Sequence, residues 1–318
     1  MAKRGTKSTI YWRNRQIRQE ATAFKSQQEV VETSVKAYNA ALSDIDKSIN
    51  KIFGNFTKTA ELSAEDGKQL ISEAMQNDIV QDLLKLKSQL TDKRQIKAVD
   101  NRINALAYGY RINRAEAVKQ SIYVAMKNAG IKEAAAGERC IASAFENGYN
   151  GVMQGIGVSF DVLPQRAIDK AIKERWHGKN YSENVWANTS KVADKASGII
   201  QSGLTSGKSI QDMSQELKDM IGDDSEGALY NATRLIRTET GHYMNQGELE
   251  AYKDSDLEYY EYLASDPCDE CGELDGRRFK VSEAVEGVNY PVMHPNCRCT
   301  TIPVVDLDEV LEEMKKGG

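Results

Sequence analysis

From Ile17 onward the apolar residues recur in an alternating four–three rhythm. They are Ile17, Ala21 and Phe24, then Val31, Val35, Tyr38, Leu42, Ile45, Ile49 and Ile52, with Gln28 the one polar member. A repeat of seven draws one narrow seam along a long helix, and Gly54 is placed to end it. Such a seam needs a partner helix, and the chain supplies candidates. Ser63-Ala64-Glu65-Asp66 reads as a capped helix start, followed at helical spacing by Leu70, Ile71, Met75, Ile79, Leu83, Leu86 and Leu90. A third stretch runs through Ile96, Val99, Ile103, Leu106, Tyr110, Ala117 and Val124. Long helices with short connections predict an N-terminal up-and-down bundle or a protruding helical hairpin.

The pattern then loosens. Gly130, Gly137, Gly148, Gly151, Gly155 and Gly157 precede Pro164, and glycine-rich stretches mark turns and boundaries. Helical patterning resumes at Pro164, a good first helical residue, and continues to Trp176 and from Tyr181 to Ile200. Ser209-Ile210-Gln211-Asp212 opens a helix that Gly222 closes, and Ser225 to Tyr252 forms one more. Beyond it the period changes. Leu257–Leu263 is strand-like, Leu274–Val281 carries Asp275-Gly276 between strand formers as a hairpin would, and Thr300–Val305 is β-branched. The expected fold is α+β. It comprises a helical domain with a basic N-terminal arm (1–127), a Gly-rich linker region (128–163), a helical and small antiparallel β domain (164–305) and an acidic tail (306–318).

Charge sharpens this division. The formal net charge of −5 is split between +7 over residues 1–150 and −12 over the remainder. Lys3, Arg4, Lys7, Arg13, Arg15 and Arg18 all precede the first acid, Glu20. Such an arm suits DNA phosphates or an acidic protein surface, and a solvated terminus is the plainer alternative. No run approaches the roughly 18–20 apolar residues of a membrane span, and no apolar core follows the first basic residues as in a secretory signal. A reducing cytoplasm is therefore the expected site of synthesis, where clustered cysteines are metal ligands before they are disulfides.

Four of the five cysteines fall between Cys268 and Cys299. Cys268-Asp269-Glu270-Cys271 is a C-x-x-C turn, and His294-Pro295-Asn296-Cys297 repeats the spacing as His-x-x-Cys. Cys268, Cys271, His294 and Cys297 give three sulfurs and one nitrogen, a donor set suited to tetrahedral Zn²⁺. Cys299 can replace His294 or pack as a small hydrophobe. Completion of the second turn favours His294. With four protein ligands the zinc is structural, since a catalytic ion keeps an open position. Cys140, among Ala and Ile, reads as a buried inert thiol. His177 reads as a capping or surface residue. Arg237 and Glu239 can be cast as a phosphate binder and an acid/base group, although an ion pair is the commoner use of such residues on a helix. No P-loop, dinucleotide fingerprint or hydrolase elbow is present.

Arg237-Thr238-Glu239-Thr240, Asn245, Gly247, Asp266, Cys268/Cys271, Leu274-Asp275-Gly276 and His294-Pro295-Asn296-Cys297-Arg298-Cys299 stand in a distinctive order. In this the chain resembles the phage head morphogenesis proteins, the minor capsid proteins of the Mu F-like and SPP1 gp7-like type. The motif region covers about 190–305. Tyr11-Trp12-x-x-Arg15 and the stretch from Trp186 to Gly207 extend a weaker likeness over most of the chain. The resemblance implies a non-enzymatic minor head protein that associates with the portal, with DNA, scaffold or capsid proteins as further partners. It implies residence in the procapsid and virion head, reached from the host cytoplasm during assembly. Related head domains occur joined to C-terminal toxin domains, which a chain ending soon after Val305 is expected to lack. The competing expectation is a nucleotide-handling enzyme, ADP-ribosyltransferase-like or nuclease, using Arg237 and Glu239. A regulatory DNA-binding zinc module is disfavoured by Asp266, Asp269, Glu270, Glu273 and Asp275 around the cysteines.

Overall fold

A computed structural model describes residues 7–107, 111–157, 163–222, 227–265 and 267–305; the side chains of Lys7, Ser8, Thr9 and Ala107 are outside the description. The chain is mostly helical with one small antiparallel sheet, an α+β arrangement. The helices are α1 (Lys7–Ile52), α2 (Ala64–Lys68), α3 (Glu73–Gln89), α4 (Lys93–Ala107), α5 (Arg114–Ile156), α6 (Gln165–Lys173), α7 (Tyr181–Ser206), α8 (Ile210–Ile221) and α9 (Ala228–Asp254). The C-terminal region holds β1 (Tyr259–Leu263), the one-turn α10 (Asp269–Gly272), β2 (Arg278–Lys280) and β3 (Thr300–Pro303).

Two compact units interleave along the chain. One comprises residues 31–136 and 182–233, the other 1–30, 137–181 and 234–318. The first is a helical bundle whose core includes Tyr38, Ile45, Ile49, Leu83, Val99, Ile122, Met213 and Leu217. The capping signals hold. Ser63 and Ser209 each make a full capping box, with Asp66 and Asp212 at the third helical position. Ser72 caps α3. Within the bundle α3 and α4 run antiparallel, with Gln76 Nε2 donating to the Leu106 carbonyl and Lys87 pairing with Asp100 at 2.6 Å. The third stripe is two helices instead of one. Asn113 accepts from the Glu116 N–H at 2.8 Å and starts α5, a side-chain cap that apolar periodicity does not register. Tyr110 lies outside the described residues.

In the second unit the seam of α1 is rotated from its expected register. Trp12, Gln16, Ala23 and Val30 are buried, whereas Ile17 and Phe24 are 59% and 41% exposed. Beyond that segment Tyr38, Ile45, Ile49 and Ile52 are buried as expected. The early register differs because Gln16 and Ala23, in place of Ile17 and Phe24, meet Glu248, Ala144 and Met244 there. The glycines from Gly130 to Gly155, expected to loosen the chain, lie inside α5. They are contact points. A Cβ on Gly148 would sit 2.1 Å from the Met244 carbonyl oxygen, and one on Gly247 would sit 2.1 Å from that of Phe145. The backbones of α5 and α9 therefore touch through reciprocal glycines, where side-chain absence serves close approach. Gly157, at φ 74°, follows the end of α5.

The sheet has the order β2-β1-β3, with both pairings antiparallel. Tyr260 faces Phe279 on one side and Pro303 on the other. Asp275-Gly276 does not join two strands as expected. Gly276, at φ 73°, donates to the Tyr262 carbonyl and delivers the chain to β2, which pairs with the upstream β1. Leu274 packs against the cysteine cluster instead of extending a strand. Among the described residues no helix is long and apolar enough to cross a membrane.

Candidate metal centre

The cysteines occupy two tight turns. In the first, Cys268 caps α10 and its carbonyl accepts from the Gly272 N–H at 2.9 Å. In the second, the Cys297 N–H donates to the His294 carbonyl at 3.0 Å, and Asn296 takes the left-handed conformation (φ 65°) that Asn tolerates. Helix α9 anchors this second turn. Thr238 Oγ1 accepts from the Asn296 N–H at 3.0 Å, and Asn245 Nδ2 donates to the carbonyls of Gly241 and Cys299 at 2.8 and 3.2 Å. The Tyr290 hydroxyl donates to the Asn245 carbonyl at 2.5 Å. Thr238 and Asn245 thus hold the ligand turn against the helix.

The thiol and imidazole groups gather as two triads that share Cys271. The donor atoms of Cys268, Cys271 and His294 lie within 4.8 Å of one another, as do those of Cys271, Cys297 and Cys299. His294 Nε2 is 3.4 Å from both the Cys268 and Cys271 sulfurs, while Nδ1 faces the Pro295 carbonyl at 3.0 Å. A ring whose Nδ1–H is fixed on a carbonyl presents its Nε2 lone pair to the thiols, the orientation of a ligating histidine. The fifth group, Cys299, is 3% exposed. It shares its surroundings with the buried Tyr262 hydroxyl, which has no nitrogen or oxygen partner.

The electrostatics fit a cation. A hydrogen bond with Cys299 is the main cause holding the Cys297 thiol down to about 5. Burial first, then the neighbouring Cys297 charge, pushes Cys271 up to about 11. Cys299 is pushed up by its bond to Cys297 and by burial. Hydrogen bonds from Cys271 lower Cys268, and the Pro295 carbonyl raises His294. Several thiolates cannot coexist here unless a positive charge sits among them, and a divalent ion removes that conflict. The cluster can therefore hold a metal ion.

The basic residues expected to contact DNA or portal divide into several environments. Lys3 and Arg4 lie outside the described residues, as does the side chain of Lys7. Arg13 is committed internally, 3.9 Å from Glu261 and 3.7 Å from Asp275. Arg15 Nε donates to the Gly151 carbonyl at 2.8 Å. Arg18 is exposed.

Arg237 and Glu239 do not converge. Arg237 is exposed and lines a cavity of about 700 Å³ with Arg298, Phe24, Asn296 and Cys297, whereas Glu239 is 2% exposed and does not line it. His242 stacks on Trp176, with ring centroids 4.1 Å apart, and its Nδ1 lies 2.7 Å from a Glu286 carboxylate oxygen. Cys140 is buried, beside the Thr240 hydroxyl, and His177 is exposed, as expected.

One polar feature escaped the sequence. Glu248, fully buried, accepts from Gln16 Nε2 at 2.6 Å and from the hydroxyls of Thr300 and Thr301, and burial pushes its carboxyl up to about 7. The available signal was a carboxylate next to Gly247, on the side of α9 that packs closest.

A helix-held module with a cysteine/histidine turn is the class of protein this geometry defines, and part of it matches a known family model. Residues 194–302 match the model described as phage Mu protein F like protein. This match covers about a third of the chain and supports the likeness to phage head morphogenesis proteins that its motifs indicated. It is also 24% identical over 188 residues to NAD(+)–arginine ADP-ribosyltransferase EFV of Enterococcus faecalis. That match covers 52% of this chain and 38% of the relative, so the chain spans less than two-fifths of that protein's length. No solved structure matches the chain.

Proposed function

We propose that this protein is a minor head protein of a tailed phage that joins the portal and supports procapsid assembly, DNA packaging or DNA delivery. It resides in the procapsid and virion head, enters from the host cytoplasm, and can meet scaffold or capsid proteins as well. Residues 164–305 form its head-morphogenesis module in this reading. The observation that carries the proposal is the use made of the family-motif residues. Thr238, Asn245 and Gly247 are spent on packing and on anchoring the ligand turn. These are structural tasks.

Zn²⁺ is the ion proposed for the cluster, held by Cys268, Cys271, His294 and Cys297. Bound there it supplies a four-coordinate cross-link. The protein's own part is to fix the His294 ring, bury the Cys271 and Cys297 sulfurs and tie both turns to α9 and β1. A sheet of five-, three- and four-residue strands buries little by itself, so a cross-link is well placed.

The similarity to an ADP-ribosyltransferase favours a second reading, a nucleotide-handling enzyme using Arg237 and Glu239. The separation of these two side chains speaks against it. Purification of procapsids with and without the gene tests the first reading. Portal and this chain should co-purify, and absence from both procapsid and virion would refute it.

A further inference from the structure

The amino-terminal half of α1 packs antiparallel to the last turns of α5, with Trp12 beside Gly155, Arg15 beside Gly151 and Gln19 beside Asn147. Between the two helices lies an open groove of about 540 Å³. Its lining is unusual for a chain with 47 carboxylate residues. No acid lines it. Two arginines, Arg15 and Arg18, share it with carboxamides from both helices, including Asn14 and Gln19 of α1 and Asn147, Asn150 and Gln154 of α5.

The two arginines are prepared differently. Arg15 is held in place by its bond to the Gly151 carbonyl and a second contact of 3.4 Å to Gln154 Oε1. Arg18 is exposed and has no ion pair or side-chain hydrogen bond among the described residues. Neither Asn14 nor Asn150 has such a partner. Tyr11, 44% exposed, stands at the same groove and offers a ring face. Unpaired guanidinium, free amide donors and an absence of carboxylates form a surface for an extended anion bearing many acceptor oxygens. Phosphate oxygens take bonds from Arg, Asn, Gln and Tyr alike. A nucleic-acid strand repeats such oxygens along its whole length, which matches donors spread over both walls of the groove.

We propose that this groove binds the phosphodiester backbone of nucleic acid, with Arg18 as the principal contact, Arg15 as a pre-positioned one and Asn150 as a donor from the opposite wall. The proposal deepens the head-protein reading, in which packaged DNA is a partner, and assigns the contact to α1 and α5 together. It excludes Arg13, whose charge is already matched by Glu261 and Asp275.

The test is fluorescence anisotropy of the zinc-loaded full chain with a labelled 20-base-pair duplex and the corresponding single strand, across a salt series. Binding to either is expected to weaken linearly on a log–log plot. Arg18→Ala should weaken it several-fold and reduce the salt slope by about one. Asn150→Asp, which places an acid in the groove, should weaken it at least as much. Arg13→Ala should leave the slope unchanged. Circular dichroism confirms folding of each variant, Arg18 being exposed and Asn150 half-buried, so loss of fold is separable from loss of contact.

Three results overturn the proposal: no binding to either nucleic acid, equal losses from Arg13→Ala and Arg18→Ala, or displacement of the DNA by polyglutamate at equal charge concentration. The last result would assign the groove to an acidic protein surface. The portal co-purification is independent of all three, so the groove can fail while the head-protein reading stands, and the reverse.

Discussion

Replacing Glu248 by glutamine should stabilise the protein at alkaline pH and do little or slightly the opposite in acid. The carboxyl is fully buried and holds its proton up to about 7, against an ordinary 4.5. Between these values the unfolded chain has released the proton and the folded chain has not, so the unfolded state binds fewer protons and stability falls as pH rises. The contribution is complete below about 4.5 and gone above about 7. At roughly 1.4 kcal/mol per pH unit this amounts to about 3 kcal/mol. Glutamine has no charge to bury, but it offers an amide nitrogen where Thr301 now donates to an oxygen, a mismatch costing about 1 kcal/mol. The net gain at pH 8 is then about 2 kcal/mol, or about 4 °C in melting temperature. Thermal melts of both proteins from pH 5 to pH 8 at fixed zinc should cross. Parallel curves, with Glu248→Gln below the parent at every pH, would refute the reasoning.

Other outcomes follow from the same structure. Purified protein should contain one zinc per chain by elemental analysis, lost with Cys268→Ser or Cys297→Ser and kept with Cys299→Ser; loss with Cys299→Ser and retention with His294→Ala would exchange those two roles. Gly247→Ala should cost at least about 3 kcal/mol in urea unfolding, because its Cβ meets a helix backbone that cannot move aside cheaply; a change below about 1 kcal/mol would contradict the packing described. Glu239→Ala should lower the melting temperature while Arg237→Ala leaves it unchanged. Incubation with NAD should give no transferase product from the parent protein, and a product abolished by Glu239→Ala in a folded variant would restore the enzyme reading.

The helices were legible because their signals are local. Ser63 with Asp66 and Ser209 with Asp212 are cap chemistry written within four residues, and Gly54 stands just past the end of α1. The two cysteine turns were legible for the same reason, as C-x-x-C and His-x-x-Cys fix the spacing of their side chains directly. What the sequence hid depends on partners distant along the chain. Gly148 looked like a loosening residue because the carbonyl of Met244 that it admits is invisible to a local reading. Gln16 is polar in every hydropathy pattern, yet it is buried because Glu248 and Thr300 wait for it. That exchange moved Ile17 and Phe24 to the surface. The break before α5 rests on one Asn113 side chain. Convergence of Cys299 with Cys271 and Cys297 also needed the fold, since the first turn and β3 are brought together only by the sheet.

Strand β3 joins the two chemical features of this unit, and that makes their pH dependences opposed. Its first residue, Thr300, follows Cys299 directly and hydrogen-bonds to Glu248, so the strand is pinned at its start by the ligand turn and along its side by the buried carboxyl. Zinc binds thiolates and a neutral imidazole, so protons displace it and its contribution falls in acid. The Glu248 contribution falls in base. Zinc-loaded protein should therefore be most stable at an intermediate pH, and free zinc should act on one side of that maximum. While the site is bound, each tenfold rise in free zinc adds about 1.4 kcal/mol by mass action. It also carries occupancy to lower pH, which moves the acid arm and leaves the position of the alkaline decline to the carboxyl. Melting curves across pH at two buffered zinc concentrations measure this directly. Curves that superimpose would mean that the cluster binds no zinc, and the sheet would then owe its order to Glu248 and the α9 anchors alone.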